Sequence, residues 1–403
     1  MTRLKCLEIF SGAGGLAKGL ELSGFEHLAF VEVNKHACAT LSENFDTKKI
    51  FCGDIRNFDL DALDSVDLIA GGPPCQPFSL GGKHQANQDS RDMFPYAIQA
   101  INKLRPKAFI FENVKGLLRP AFADYFDYII LRLSYPDFVA KPNADWREHL
   151  EKLRSTSKLS YAGKKYDVQF KLINAADYGV PQMRERVIIV GTRANLALNW
   201  SFPNATHSED RLLWDMAITG DYWKQHQIAK SSQPAFNALI NKKIIRLKQK
   251  YCLSEPTLKP WQTVRDALCD VPNPQSNHNR LDHVFRDGAR SYVGHTGSAI
   301  DWASKTIKAG DHGVPGGENM IRFHDDIVRY FTVLEAKRIQ TFPDDFVIKG
   351  AWGEAMRQIG NAVPVLLAEK IGTQLAAEIK MCNKAHQIVA RRNAHKLIQT
   401  SPD

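Results

Sequence analysis

The chain has 403 residues, 44% hydrophobic and 24% charged, with a formal net charge of +9. That length accommodates one large α/β domain and a smaller one, and no apolar run approaches the length of a membrane-spanning helix. The seven cysteines (Cys6, Cys38, Cys52, Cys75, Cys252, Cys269 and Cys382) are scattered and form no C-x-x-C pair, which argues against a disulfide framework or a metal site and fits a reducing cytoplasm.

Residues 1–6 lead straight into a strand-like segment without signal-peptide form. Strands are expected at 7–10, 28–33, 50–52, 66–70 and 108–111, and helices at 16–22, 35–44 and 93–104. Such alternation predicts a parallel, doubly wound α/β sheet. A late strand is expected at 187–191, paired with 168–172 through the tight turn Tyr178-Gly179-Val180-Pro181. From about 200 to 345 the alternation stops and glycines cluster at Gly310, Gly313, Gly316 and Gly317. This predicts a second, smaller domain of loops and short strands. One amphipathic helix is expected at 363–379, followed by a basic tail that frays. The division is therefore 1–199, 200–345, and a C-terminal segment 346–403 that returns to the first domain.

Charge is uneven. Residues 1–199 carry 26 Lys/Arg against 23 Asp/Glu, and residues 201–403 carry 27 against 21. The run 241–250 has five basic residues and no acid. It reads either as a phosphate-contacting surface or as a solvated helix face.

Four groups of residues carry chemistry. The apolar run 66–70 ends in Gly71-Gly72-Pro73-Pro74 and then presents Cys75. A free cysteine is most often a small buried hydrophobe. One that follows this rigid loop, at the ligand-binding edge of an α/β sheet, reads instead as a nucleophile. Phe10 to Gly15 (FSGAGG) lies at a strand-to-helix junction, with Glu32 ending the next strand and Asp54 following the third. Gly12 and Gly14 allow close backbone approach, Glu32 suits ribose hydroxyls and Asp54 an adenine amino group. These residues fit an adenosine-containing cofactor without separating a dinucleotide from S-adenosylmethionine. Glu112 follows the apolar strand 108–110 and offers an acid beside the thiol. Gln182, Arg184 and Arg186 alternate on one face of an extended segment, able to hold a carbonyl oxygen or a phosphate. In the glycine cluster, Glu318 and Asn319 can hydrogen-bond base edges, or the cluster is a structural turn.

Taken in order, these motifs resemble those of the DNA (cytosine-5)-methyltransferases of bacterial restriction-modification type. The glycine loop, Glu32, Cys52-Gly53-Asp54-Ile55, the Pro-Cys-Gln loop, Asp89-Ser90-Arg91, Glu112-Asn113-Val114 and 182–186 all match. So do Arg338 to Pro343 (RIQTFP) and Gln358 to Pro364 (QIGNAVP). The resemblance implies an S-adenosylmethionine-dependent, Rossmann-like methyltransferase sheet with a smaller DNA-recognition domain at about 200–345. It implies attack of Cys75 on C6 of a flipped-out cytosine, with Glu112 at N3, Arg186 near O2 and Arg184 supporting the loop or a phosphate. The methyl group would pass from S-adenosylmethionine to C5, leaving S-adenosylhomocysteine. Phe10, Gly12, Gly14, Glu32, Asp54, Ile55, Pro73 and Asn361 would hold the cofactor. Gln76, Ser79, Gln182 and Thr306 would touch DNA, Thr306 with Ile307 matching a short Thr-aliphatic pair. The implied partners are double-stranded DNA and a cognate restriction endonuclease, for a monomer working on the cytoplasmic nucleoid. Three rivals are set beside this reading: an RNA (tRNA) cytosine methyltransferase of the same fold, a non-catalytic DNA-binding regulator, and an NAD-dependent oxidoreductase. The Pro-Cys-Gln loop and the presence of Cys75, Glu112 and both arginines weigh against the last two.

Overall fold

The computed structural model describes residues 3–74, 92–141, 144–156, 161–252, 254–309 and 319–399, the side chains of 386, 387 and 389–399 excepted. Its first half alternates as expected: β1 (Leu4–Ile9), α1 (Gly15–Leu22), β2 (Phe25–Glu32), α2 (Lys35–Asn44), β3 (Ile50–Cys52), β4 (Leu68–Gly71), α3 (Phe94–Leu104) and β5 (Ala108–Val114). Helices α4 (Ala123–Ser134) and α5 (Trp146–Thr156) follow, then β6 (Tyr166–Asn174) and β7 (Glu185–Arg193). The seven strands form one sheet in the order β3-β2-β1-β4-β5-β7-β6. The first five are parallel. β7 runs antiparallel to β5 and β6 antiparallel to β7, so the parallel strands are followed by the expected late pair in antiparallel register. The cause is local: a tight turn joins β6 and β7, whereas a parallel pair needs a long crossover.

Strand order reverses between β1 and β4, and such a switch point opens a crevice at the carboxyl ends of the strands. The strands are apolar on both faces because helices cover both. Leu7, Ile9, Ile69, Phe109 and Phe111 pack with α3, α4 and α5. Their sequence neighbours Cys6, Leu68, Ala70 and Ile110 pack on the opposite face with α1 and the C-terminal helix α12 (Val365–Gln399). That helix starts near the expected position but runs on through the tail expected to fray. It lies very close to α1. A Cβ on Gly19 would fall 2.4 Å from Ala368 Cβ and 2.5 Å from the Val365 carbonyl. Gly19→Ala is therefore expected to destabilise the fold by about 1–3 kcal/mol, seen as a lower thermal midpoint; an unchanged midpoint would mean that the helix pair is not this tight.

Two histidines are expected to make stability depend on pH. His149 is buried, stacked on Phe138, with Nδ1 3.0 Å from the Tyr128 hydroxyl. Burial pushes its pKa down to about 4, and burial near Lys370 and Lys259 does the same for His207. An unfolded histidine takes up its proton near 6.5. Their contribution is thus complete above pH 6.5 and is lost as pH falls toward 4. The thermal midpoint should fall over that window, and the fall should shrink in His149→Phe.

The second lobe is more helical than its composition suggests. It holds α6 (Glu209–Ala217), α7 (Asp221–Gln225), α8 (Ala238–Tyr251), α9 (Val264–Leu268), α10 (Val333–Ile339) and α11 (Trp352–Asn361). Strands are short: β8 (His207–Ser208) pairs with β9 (Lys259–Pro260), and β10 (Ser298–Ala299), β11 (Met320–Arg322) and β12 (Val328–Tyr330) make a small sheet. Caps mark several helix starts: Ser208 for α6, Asn237 for α8, and capping boxes at Thr263 with Asp266 and Thr332 with Glu335. Met356 and Ile359 of α11 share a core with Val264, Ile307, Ile321, Phe331 and Ile339. Phe342 and Phe346 pack with Phe45, Ala362 and Val365, so the chain on either side of 345 touches the first lobe's elements as well as the second lobe's core.

Candidate active site

The crevice edge is shaped by the turn after β1. Phe10 has φ +54°, a left-handed conformation that costs a non-glycine residue about 1–2 kcal/mol. Gly12 follows at φ +53°, and its N–H donates to Glu32 Oε2 at 2.7 Å. The Asn34 N–H donates to Glu32 Oε1 at 2.8 Å. Glu32 is thus held from both sides, and each oxygen keeps a lone pair for a ligand hydroxyl. Asp54 caps the short turn Ile55–Asn57 and pairs with Arg56 at 2.5 Å, which holds its carboxyl down at about 2.

A cavity of about 640 Å³ opens here. Phe10, Gly12, Glu32, Asp54, Ile55, Pro73 and Asn361 line it, and so do Glu112, Arg184 and Arg186. Both expected sets therefore share one chamber, of a size that suits a small-molecule ligand. Gly14 is not in this lining. It sits at φ +85° before α1, and a Cβ there would meet Leu41 and Phe45. Its role is to let α1 approach α2.

Glu112 and Arg186 meet as an ion pair, Arg186 Nε to Glu112 Oε1 at 2.7 Å, with side chains 13% and 11% exposed. Antiparallel pairing of β5 with β7 brings them together. The N–H does not point along the contact, so this is an electrostatic contact and not an aligned hydrogen bond. The next residue, Asn113, was not expected to have a role. Its Nδ2 donates to the Pro73 carbonyl at 3.0 Å. The Met93 N–H donates to the Pro74 carbonyl at 3.1 Å. Both ends of the segment that carries Cys75 are thereby tied beside Glu112. Cys75, Gln76 and Ser79 themselves, with Asp89 to Arg91, lie outside the described residues.

Arg184 differs from Arg186 although both were expected to act at the site. It is 1% exposed and its Nη2 donates to the Gly360 carbonyl at 2.8 Å and the Ala362 carbonyl at 3.0 Å. It braces the two carbonyls flanking Asn361. Burial, and secondarily Arg186, pushes its pKa down to about 9. Removing a buried guanidinium leaves its acceptors unpaired. Arg184→Met is expected to weaken cofactor binding about tenfold or more through Asn361, measured by calorimetry; unchanged binding would make the brace irrelevant to the site.

Gln182 was expected at the DNA surface and is fully buried. Its Oε1 accepts from the Ile307 N–H at 3.0 Å, and its Nε2 donates to Gln340 Oε1 at 3.1 Å. It joins the lobes. Asn319, expected to reach base edges, is likewise buried. It is 3% exposed, with its amide closed on the Lys308 backbone at 3.1 and 3.2 Å. Glu318 and the glycine cluster around it lie outside the described residues. Thr306 donates to the Met183 carbonyl at 2.8 Å and lines a second cavity, of about 470 Å³, with Lys115, Met183, Glu185 and Arg186. That cavity shares Val114 and Arg186 with the first.

The family model described as C-5 cytosine-specific DNA methylase matches residues 4–143 and 146–377. The chain belongs to this family. It is 32% identical over 383 residues to the Type II methyltransferase M.NgoMIV of Neisseria gonorrhoeae, covering 94% of this chain and 98% of that protein. It is 30% identical over 386 residues to M.Eco47II of Escherichia coli, covering 94% and 80%. Among solved structures it is similar to a putative DNA modification methyltransferase encoded within an E. coli prophage (TM-score 0.55, 19% identity, 94% and 99% covered). It is also similar to the S. pombe Dnmt2 methyltransferase (TM-score 0.55, 16% identity, 94% and 100% covered). At such identities these structures speak for the fold alone. The methylase is thus a DNA (cytosine-5)-methyltransferase. No helix among the described residues is long and apolar enough to cross a membrane.

Proposed function

We propose that the methylase modifies cytosine at C5 in one duplex DNA sequence by covalent catalysis through Cys75, and that it protects host DNA beside a cognate restriction endonuclease. The observation that carries this reading is the chamber itself, where the pair of Glu112 and Arg186 stands next to the Glu32 wall. The cavity fits S-adenosylmethionine. Glu32 has lone pairs for the ribose, Phe10 and Ile55 offer apolar surface to the adenine, and Asn361 and Gly12 border the other end. When bound, that cofactor supplies the methyl group that C5 takes up.

The chain's own residues prepare the base. Cytosine C5 is a poor nucleophile until a thiolate adds at C6. Cys75 makes that bond, Glu112 shares a proton at N3 and draws electron density from the ring, and Arg186 neutralises charge near O2. Asn113 holds the Pro73 carbonyl and so fixes the start of the thiol's loop. A base flipped out of the duplex reaches this chamber, whereas a stacked one does not. The unit from about 200 to 345 would select the sequence, in a monomer working on cytoplasmic DNA. Transfer of labelled methyl groups to plasmid DNA against tRNA, followed by bisulfite sequencing, tests the substrate. Label appearing in tRNA alone would overturn the reading.

The basic run lies on α8, where Lys243 pairs with Glu209 at 2.5 Å and Lys250 with Asp210 at 2.7 Å. Lys242, Arg246 and Lys248 are exposed. Neutralising those three should weaken binding to every DNA sequence and flatten the salt dependence. An unchanged slope would make α8 a solvated face.

A further inference from the structure

Cys38 and Cys52 meet behind the Glu32 wall of the chamber. β3 is an edge strand of the large sheet, and its pairing with β2 sets Phe30 opposite Ile50 and Glu32 opposite Cys52. Phe30 and Ile50 pack with Leu41 of α2, so Cys52, two residues after Ile50, faces the same helix. The helix returns the other thiol. Cys38 Sγ donates to the Glu32 carbonyl at 3.2 Å, and the same oxygen accepts the Gly53 N–H at 2.9 Å. The Cys38 thiol also interacts with the Cys52 thiol. A buried cysteine such as Cys38, 5% exposed, is ordinarily a small hydrophobe. Cys52 is exposed, so packing does not account for it.

The pair is tied to the groups that hold Glu32. Asn34, which caps α2, gives its N–H to Glu32 Oε1 at 2.8 Å. Asp54, two residues after Cys52, lines the chamber. A sulfur–sulfur bond is about 2.05 Å long, so joining the two thiols draws the start of α2 toward the end of β3. It also removes the S–H that donates to the Glu32 carbonyl. Both changes act on the residue whose free lone pairs face the ligand.

We propose that Cys38 and Cys52 form a reversible disulfide that weakens cofactor binding at Glu32, the oxidant being a small-molecule disulfide. This rests on the proposal that the chamber holds S-adenosylmethionine. Exchange starts at Cys52, the exposed thiol. Its thiolate attacks one sulfur of the oxidant, a mixed disulfide forms and one small thiol leaves. Cys38 then gives its proton to water, and its sulfur displaces the second small thiol from Cys52. Two protein thiols are thereby oxidised, giving up two electrons and two protons, and one disulfide is reduced to two thiols. Burial, and after it the Cys52 thiol, pushes the Cys38 pKa up, which makes the second step the slow one. Transient disulfides of this kind are the ones a reducing compartment tolerates.

The test incubates the full chain with oxidised glutathione and maps disulfides by mass spectrometry of unreduced digests. S-adenosylmethionine binding is followed by calorimetry before oxidation, after it, and after dithiothreitol, in wild type and in Cys52→Ser. Binding is the readout because oxidation of Cys75 would also silence methyl transfer, and Cys52→Ser carries the same Cys75. Wild type should yield a cross-linked Cys38–Cys52 peptide. Once oxidised it should bind the cofactor about tenfold more weakly than oxidised Cys52→Ser, the loss of roughly one hydrogen bond to a charged group, and dithiothreitol should restore it. Reduced Cys52→Ser should bind as reduced wild type does, since the position is exposed. Absence of the cross-linked peptide overturns the disulfide. A cross-link that leaves wild type binding as tightly as oxidised Cys52→Ser overturns its control of the site. A reduced wild type that does not bind S-adenosylmethionine overturns the cofactor reading instead, and the peptide map still decides the disulfide.

Discussion

Cys75→Ala abolishes methyl transfer to DNA while binding of both DNA and S-adenosylmethionine persists. This is the largest effect expected of any single substitution. Without addition at C6, the C5 carbon keeps its low reactivity, and none of the described residues that line the chamber is a thiol. Few phosphate contacts should be lost, because the proposed contact of Cys75 is with the base and not with the backbone. The Gly71-to-Pro74 approach and the two tethers, Asn113 to Pro73 and Met93 to Pro74, are untouched. The measurement is single-turnover incorporation of labelled methyl groups beside a gel-shift titration. Substantial methylation by the alanine protein would remove Cys75 from the mechanism.

Glu112→Gln comes next. A glutamine neither shares a proton with N3 nor balances Arg186, which at 13% exposure would be left with a poorly solvated charge. The rate of methyl transfer should fall by roughly 10²–10⁴-fold, the usual range for a positioned general acid. Cofactor affinity should change little, since Glu32 and the glycine turn lie on other strands. A rate within a few-fold of wild type would reduce Glu112 to a partner that merely anchors Arg186.

Much of the chamber is legible in the sequence because its residues sit at the ends of strong apolar strands. Phe10, Glu32, Pro73 and Glu112 each follow such a run, and parallel strands deliver their ends to one edge. Alternation placed Gln182, Arg184 and Arg186 on one segment, but it could not say which would be buried. That depends on α10 and α11, more than 140 residues away, whose Gln340, Gly360 and Ala362 take up Gln182 and Arg184. The second lobe was harder to read for the same kind of reason. Helix α8 buries only Ile244 and Leu247, so its charged surface conceals a narrow apolar stripe. Asn319 looked like a polar loop residue, and only the folded chain shows its amide closed on Lys308.

A covalent bond from Cys75 to cytosine can be trapped with duplex DNA carrying 5-fluorocytosine at the methylated position. Fluorine at C5 cannot leave as a proton does, so elimination stops after methyl transfer and the thiol stays attached. The expected result is a DNA-protein complex that survives a denaturing gel, requires S-adenosylmethionine and disappears in Cys75→Ala. A protein that methylates ordinary cytosine at the same site yet gives no denaturation-resistant complex with the fluorinated duplex would contradict it.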